Sequence, residues 1–448
     1  MENIASFKVT NLHNKKRDIE ILFSENKLIL VGENGSGKTT ILRLFYYFIS
    51  GQFEHISKYE FSKISLTIDD ICYSVSYDDI LAYISHSKFH FTRSTIRFSK
   101  RFVEEVEPDF DDGQMITYIN NSIRTDENST SIQKEISSLQ EKILNVNKFK
   151  ENVVNRLNFQ VLYLPTYRRI EQELQFIFKD IDEHQAKRRL VNRETRQTES
   201  SVELVEFGMR DVQKMIEDSL MNLNRTARIR LNRLSVEYLS DIIEQKYNDI
   251  DLQQIKSATT QTIENVLNRI QESALSRDNK RQLYLSIEKA KSGKDLSQHD
   301  RIICHYFTKV LRIQRYIQKT EDNISKFCEV CNKYMVNKSL TYSSSDFSLK
   351  IYQAEQNNKE SAIELHHLSS GEKQIVSLFC HLYLSGGKKY FLIIDEPELS
   401  LSVEWQRKLL PDIVSGGFCI GLFAVTHSPF IYDNNLHSHA HGIGEFVL

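Results

Sequence analysis

Residues 32–40, Gly32-Glu33-Asn34-Gly35-Ser36-Gly37-Lys38-Thr39-Thr40, carry the spacing G-x-x-x-x-G-K-[ST]. Glycines at these places let backbone N–H groups converge on an anion, and the helix that follows adds the positive end of its dipole. The pattern assigns Lys38 to the terminal phosphates of ATP and the Thr39 hydroxyl to Mg²⁺. Glu33, Asn34, Gly35, Ser36, Gly37 and Thr40 line the same nucleotide. The context is right for this chemistry: Leu28–Val31 reads as a short buried strand, and ILRLFYYFIS after Thr40 as a buried helix.

A second element is the apolar run Phe391–Ile394 ending in Asp395 and Glu396. Asp395 suits the Mg²⁺ water shell. Glu396 suits the water that attacks the γ-phosphate, which a carboxylate can orient or deprotonate. The bland alternative is a pair of acids capping a strand in solvent. A third element, Leu368-Ser369-Ser370-Gly371-Glu372-Lys373-Gln374, opens a predicted helix and offers another anion seat. It resembles the L-S-x-G-[EQ] signature of ABC-type ATPases. Two such seats cannot grip one phosphate within one head, so Ser370, Gly371 and Glu372 of one copy are expected to cover the nucleotide held by Lys38 of another. An ordinary serine-capped helix is the competing reading. Fourth, Val425-Thr426-His427-Ser428-Pro429 follows an apolar strand and resembles the switch-histidine loop of the same superfamily, with His427 facing the γ-phosphate. A lone polar histidine is its alternative.

These residues need strands to carry them. Period-two spacing at Phe7 and Val9 and at Ile19, Ile21 and Phe23 predicts strands, and residues 63–77 predict a hairpin turning at Asp69-Asp70. Phe347, Leu349 and Ile351 alternate as well. Strand–helix–strand order over the last hundred residues, with continuous apolar strands, predicts a parallel sheet covered on both faces. Between Gly113 and Gly371 the only Gly and Pro residues are Gly208, Gly293 and Pro165, so the middle of the chain predicts long helices. Ile132, Ile136, Leu139, Ile143 and Val146, continued by Val153 and Leu157, form a stripe suited to a coiled coil or an amphipathic helix. The expected fold is α/β. The head, 1–77 and 340–448, comes from both chain ends. Residues 78–160 form a mixed insertion with the coiled-coil-like helix, 161–175 a head strand and loop, and 176–339 a helical insertion.

Composition narrows the function classes. The chain has 448 residues with 58 Lys+Arg against 60 Asp+Glu, a formal net charge of -2. That balance excludes a protein coating nucleic acid by bulk charge, though Arg225, Arg228, Arg230 and Arg233 make a local basic cluster. No apolar run approaches the ~18–20 residues of a membrane span, and no signal peptide is evident, so a soluble cytoplasmic protein without membrane contact is expected. The six cysteines are irregularly spaced. Cys328-x-x-Cys331 lacks a matching ligand pair and fits a helix with buried thiols. His437, His439 and His441 fit a polar loop better than a three-imidazole strand face.

With the four elements in order, the chain resembles the ABC/SMC-type head ATPases of the RecF, Rad50 and OLD group. Tyr163–Glu171, Val205–Val212 and Asp395–Ser402 followed by Glu404-Trp405-Gln406 are similar to the PtuA-type ATPases of Septu and some retron anti-phage systems. The resemblance implies ATP and Mg²⁺ as cofactors and self-association through the heads, at least as a dimer. It also implies a small HNH endonuclease partner, PtuB, and in retron systems a reverse transcriptase and its DNA. Two departures bear on turnover. Thr166 stands where that superfamily has a glutamine, and Glu398-Leu399-Ser400-Leu401-Ser402 stands in place of S-A-L-D. No nuclease constellation is evident in the chain. The expected function is an ATP-dependent sensor and scaffold holding the nuclease. A RecF-like ATPase clamping DNA directly, with nucleic-acid contact through the helical middle, is the alternative. A transporter subunit fails on spacing, because more than 330 residues separate Lys38 from Gly371.

Overall fold

The computed structural model describes residues 3–14, 18–89, 129–165, 201–203, 209–250, 252–269, 276–354 and 360–447. It divides into two units. The first comprises Met1–Glu206 and Lys389–Leu448, the second Phe207–Lys388.

The first unit opens with β1 (Ile4–Thr10), β2 (Ile19–Leu22), β3 (Lys27–Val31), α1 (Lys38–Ile49), α2 (Phe53–Ile56), β4 (Lys63–Ile68) and β5 (Ile71–Ser76). Strands β2-β1-β4-β5 form an antiparallel sheet. The hairpin turns at Asp69 and Asp70 as the sequence predicts, and both residues adopt left-handed φ, 47° and 66°. That geometry matches the right-handed twist of the flanking strands, and Asp tolerates it through its short polar side chain. Next come α3 (Tyr77–Phe89), α4 (Ser129–Phe149), β6 (Gln160–Leu164) and β7 (Ser201–Glu203). Of the apolar stripe on α4 and the turn after it, Val146 and Val153 are buried in the core while Leu139 is 47% exposed. The helix is therefore amphipathic, with its inner end in the core. The segments with Thr166–Glu171 and Val205–Gly208 lie outside the described residues.

The second unit contains α5 (Met209–Ile243), α6 (Gln253–Lys256), α7 (Thr260–Arg269), α8 (Arg277–Lys291), α9 (Gln298–Asn332), β8 (Lys338–Ser343), β9 (Ser348–Ala354), β10 (Glu360–Ile363) and α10 (Ser370–Leu384). The breaker-free middle does give long helices: α5 and α9 run for 35 residues each. A capping box between Ser297 and Asp300 starts α9. Leu223 and Ala227 of α5 pack on Ile317 and Ile324 of α9. Residues 340–388, expected with the chain ends, instead belong to this unit, because the sheet β10-β9-β8 and α10 pack with its helices. Phe347 sits at φ 51° in the turn before β9 and does not continue the strand alternation. Cys328 and Cys331 are buried on α9, where burial pushes the Cys328 thiol up to about 12. Among the described residues no cluster of His, Cys, Asp and Glu could hold a metal by itself.

The chain then returns to the first unit with β11 (Tyr390–Asp395), α11 (Val403–Ser415), β12 (Cys419–Thr426) and β13 (Ala440–Gly442). These complete a six-stranded parallel sheet in the order β13-β3-β12-β11-β6-β7. All six residues of β11 are buried, as a strand covered on both faces requires. Phe7, Phe23, Phe45, Phe391 and Phe423 pack with centroids 5.3–6.1 Å apart and join β1, α1 and the large sheet. Gly421 of β12 makes this possible, since a Cβ there would meet ring carbons of Phe391 at 2.3 Å. His439 is buried in a short 3₁₀ turn and His441 pairs with Glu445 at 3.1 Å, so the three histidines do not share a strand face. Among the described residues, no helix is long and apolar enough to cross a membrane.

Candidate nucleotide site

The sheet order explains why residues from both chain ends meet. Strand β12 lies between β3 and β11, and all three run parallel, so the loops after them emerge together at their carboxyl ends. After β3 comes the glycine loop. Gly35 and Gly37 adopt φ 78° and 95°, values that side chains resist. No side chain caps α1 at Gly37, so the N–H groups of its first turn are left to a ligand. Lys38 is 4% exposed, and its Nζ donates to the carbonyls of Gly32 and Glu33, each at 2.7 Å. Burial pulls this ammonium below its usual pKa, against the opposing charges of Glu396, Asp395 and Glu398. A γ-phosphate would supply the counter-charge that the loop carbonyls supply only as dipoles.

Thr39 Oγ1 donates to Asp395 Oδ1 at 3.1 Å. Asp395 is fully buried at the end of β11. A hydroxyl and one carboxylate side by side fit Mg²⁺, which keeps several waters and takes its remaining ligands from phosphate oxygens. Glu396 follows at φ 52°, a left-handed conformation in a non-glycine residue. Its N–H donates to Val425 O at 2.9 Å, which ties the end of β11 to the end of β12. Burial raises the Glu396 carboxyl above its usual pKa, and the Asp395 and Glu398 charges add to this. His427 Nε2 lies 3.9 Å from Glu396 Oε1. A carboxylate poised to take a proton and an imidazole beside it are the groups that water attack on a phosphoryl centre uses. Next door on β6, Tyr163 stacks on Tyr46 with centroids 4.5 Å apart, and burial followed by the Asp395 charge pushes its phenol up.

The serine-glycine element lies in the second unit. Ser369 is the N-cap of α10: its hydroxyl accepts from Glu372 N–H, and Glu372 Oε2 accepts from Ser369 N–H at 2.6 Å. Lys338 Nζ donates to the same Glu372 oxygen at 2.8 Å. The Glu372 carboxylate is thus engaged inside its own chain. At this helix start Ser370 is exposed, while Gly371 is buried behind it.

Within the first unit the structure therefore brings together Lys38, Thr39, Asp395, Glu396 and His427, with Gly35 and Gly37 shaping the loop. Ser370, Gly371 and Glu372 share one helix start in the second unit. Two contributors carry no sequence pattern. Lys338 reaches Glu372 across 34 residues of chain. Glu398, to which the sequence assigned no site role, accepts from the turn that bears His427.

These residues gather at the carboxyl edge of a parallel sheet. A family model, AAA_15 (AAA ATPase domain), matches residues 3–432, and the chain belongs to that family. Comparison with curated proteins finds no match. Among solved structures, the chain is similar to the Smc head domain with an extended coiled coil bound to the C-terminal domain of ScpA from Pyrococcus furiosus. Identity is 13%, with 99% of this chain and 93% of that chain covered and a TM-score of 0.36. It is also similar to the Smc head domain with a coiled coil and joint from Pyrococcus yayanosii, at 14% identity, 99% and 95% coverage and a TM-score of 0.31.

Proposed function

We propose that the chain binds ATP with Mg²⁺ and hydrolyses it, and that the nucleotide is completed by a second copy. The observation that carries this is the meeting of Thr39 and Asp395 at 3.1 Å with Glu396 and His427 beside them. Lys38 and the N–H groups of α1 hold the phosphates, Thr39 and Asp395 hold Mg²⁺, Glu396 takes the proton from water, and His427 faces the γ-phosphate. Mg²⁺ supplies charge neutralisation of the phosphates when bound. Ser370 and Gly371 of a partner copy close the site. Mg²⁺-dependent phosphate release by the purified chain tests the reading. Glu396→Gln keeps nucleotide binding and lowers turnover ~100-fold, since an amide holds the shape but accepts no proton. Unchanged turnover in that variant sinks the assignment of the base.

The wider role in this proposal is a sensor and scaffold of an anti-phage system that holds an HNH nuclease, as the resemblance to PtuA-type ATPases implies. One observation supports docking by the helical unit. Helix α5 is apolar on two opposite faces. Val212, Ile216, Leu223, Ala227 and Leu234 are buried, while Met221, Ile229, Val236, Leu239 and Ile243 are exposed. The exposed residues fall within one stripe at helical spacing, the kind of face a protein partner covers. Co-expression with a small HNH endonuclease tests this. Val236→Glu with Ile243→Glu should abolish co-purification and leave ATP turnover intact. Co-purification undiminished by both changes would remove α5 from the interface.

A further inference from the structure

We propose that Glu398 is a positioning residue that holds His427 at the γ-phosphate. The inference rests on the ATPase reading above and concerns how that site keeps its geometry. Glu398 lies in the turn after β11, two residues beyond Glu396. Its Oε1 accepts from the N–H of His427 at 2.8 Å and of Ser428 at 3.2 Å, and its Oε2 accepts from Thr426 Oγ1 at 2.8 Å. One carboxylate thus ties three consecutive residues, those on which the direction of the His427 side chain depends. Hydrogen bonds to an ionised acceptor are the strong ones, and three from one turn leave it little freedom.

The surrounding bonds show why this is more than a surface contact. Glu396 N–H donates to Val425 O, so the acid turn and the histidine turn are laced on the strand side. On the outer side Ser428 Oγ donates to Gln406 Oε1 at 2.6 Å, and Gln406 Nε2 donates to Leu401 O at 2.9 Å. Glu398 is the link between these two ties. Both its oxygens are engaged by the histidine turn, which makes it a positioning group and not a metal ligand. Glu396, the candidate base, sits in the same short turn at left-handed φ. A movement of that turn, such as a second copy docking against it would cause, must carry His427 with it. Base and histidine then stay 3.9 Å apart as one body.

The test compares Glu398→Ala, Glu398→Asp and Glu398→Gln in the full-length chain. Glutamine can accept from the two N–H groups and donate to Thr426 Oγ1, so it keeps the shape without the charge. Aspartate is one methylene short of the same donors and is the milder disruption should the alanine variant fold poorly. Expected are a kcat loss of ~10- to 100-fold for Ala and Asp, ATP affinity within about threefold, and recovery to within about threefold of the parent in Gln. Combined with His427→Ala, Glu398→Ala should add no further loss. A second readout needs no turnover: the imidazole proton resonance of His427, assigned by its disappearance in His427→Gln, should shift on adding a non-hydrolysable ATP analogue in the parent and fail to shift in Glu398→Asp. A parent chain that binds the analogue but releases no phosphate would overturn the hydrolysis reading, and the resonance would still decide the role of Glu398. Parent-like kcat in Glu398→Asp, losses that multiply in the double variant, or an unchanged His427 response would each overturn the proposal.

Discussion

Thr39 Oγ1 and Asp395 Oδ1 lie 3.1 Å apart although 356 residues of chain separate them. Strand order makes the meeting: β3 and β11 flank β12, Asp395 closes β11, and Thr39 stands in the first turn of the helix that follows the glycine loop after β3. If this pair holds Mg²⁺, the metal should enter the binding equilibrium through it. Thr39→Ala and Asp395→Asn should each weaken MgATP by ~10-fold or more while leaving metal-free ATP nearly unaffected. Calorimetric titrations with and without Mg²⁺ measure the difference directly. An Mg²⁺ dependence that survives both changes would place the metal elsewhere.

The raised carboxyl of Glu396 has a consequence with a definite sign. A base works ionised, so turnover falls on the acid side as the group takes up a proton. Burial and the Asp395 and Glu398 charges hold its pKa above the usual value. The acid limb of kcat should therefore lie above the ~4.3 of an ordinary glutamate. Removing a neighbouring negative charge by Glu398→Gln should move that limb to lower pH, because the like-charge repulsion is relieved. Profiles of kcat from pH 5 to 8 in ~0.5-unit steps would show the shift. A limb that stays put would separate the pH dependence from Glu396.

How much of this was legible in the sequence follows from where each contact lies. The glycine loop was legible because its geometry is local: Gly35 and Gly37 carry the positive φ that the motif requires, and Lys38 opens the helix. The hairpin at Asp69-Asp70 and the buried strand β11 were legible for the same reason, periodicity and turn chemistry being short-range. Glu398 and Lys338 were not. Their bonds cross 28–30 and 34 residues of chain, between segments whose approach depends on strand order and helix packing that no local pattern encodes. The grouping of residues 340–388 with the helices depends on packing for a related reason. The alternation at Leu349 and Ile351 shows β9 locally, but nothing local shows that it packs with the helices.

Two carboxylates of the helical unit should set its acid stability. Hydrogen bonds from Ser286 and Ser297, with Lys289 beside them, hold Asp300 at about 2. Lys309 and His305 hold Asp241 at about 2 as well. A depressed folded pKa gives stability that is fully present above the unfolded value of ~3.9 and is lost as pH falls toward the folded value. Melting temperature, followed by far-UV circular dichroism, should therefore drop between pH ~4 and ~2. Asp300→Asn should melt lower than the parent at pH 6 and show a shallower drop in the acid window. Equal slopes for parent and variant would remove Asp300 from the transition.

A site shared between copies predicts complementation. Lys38→Ala damages the phosphate grip in the first unit, and Ser370→Arg blocks the exposed start of α10 in the second. In a mixed dimer one composite site holds both lesions and the other holds neither. Two inactive chains should then recover about half of the parent turnover per assembly. Mixing differently tagged chains, isolating the mixed species and measuring phosphate release tests it. No recovery in a demonstrated mixed dimer would mean that each chain works with its own serine.

The four arginines of α5 divide into two pairs, and the division predicts how the chain meets DNA. The Arg230 guanidinium lies 3.2 Å from the ring centroid of Tyr316, and Arg233 pairs with Glu237 at 2.7 Å. Arg225 and Arg228 stand exposed on the side that also carries Met221 and Ile229. A duplex held by this helix would gain at most a few phosphate contacts, and a chain of net charge -2 adds little long-range attraction. Duplex binding by the chain alone should therefore be weak at physiological salt. Whatever binding appears at low salt should lose ~0.9 of its log–log salt slope for each arginine neutralised. Arg225→Ala with Arg228→Ala should leave the melting temperature unchanged, whereas Arg230→Ala should lower it slightly through the lost stacking on Tyr316. Tight duplex binding at physiological salt, abolished by the Arg225 and Arg228 changes, would turn the reading toward an ATPase that clamps DNA with its helical unit.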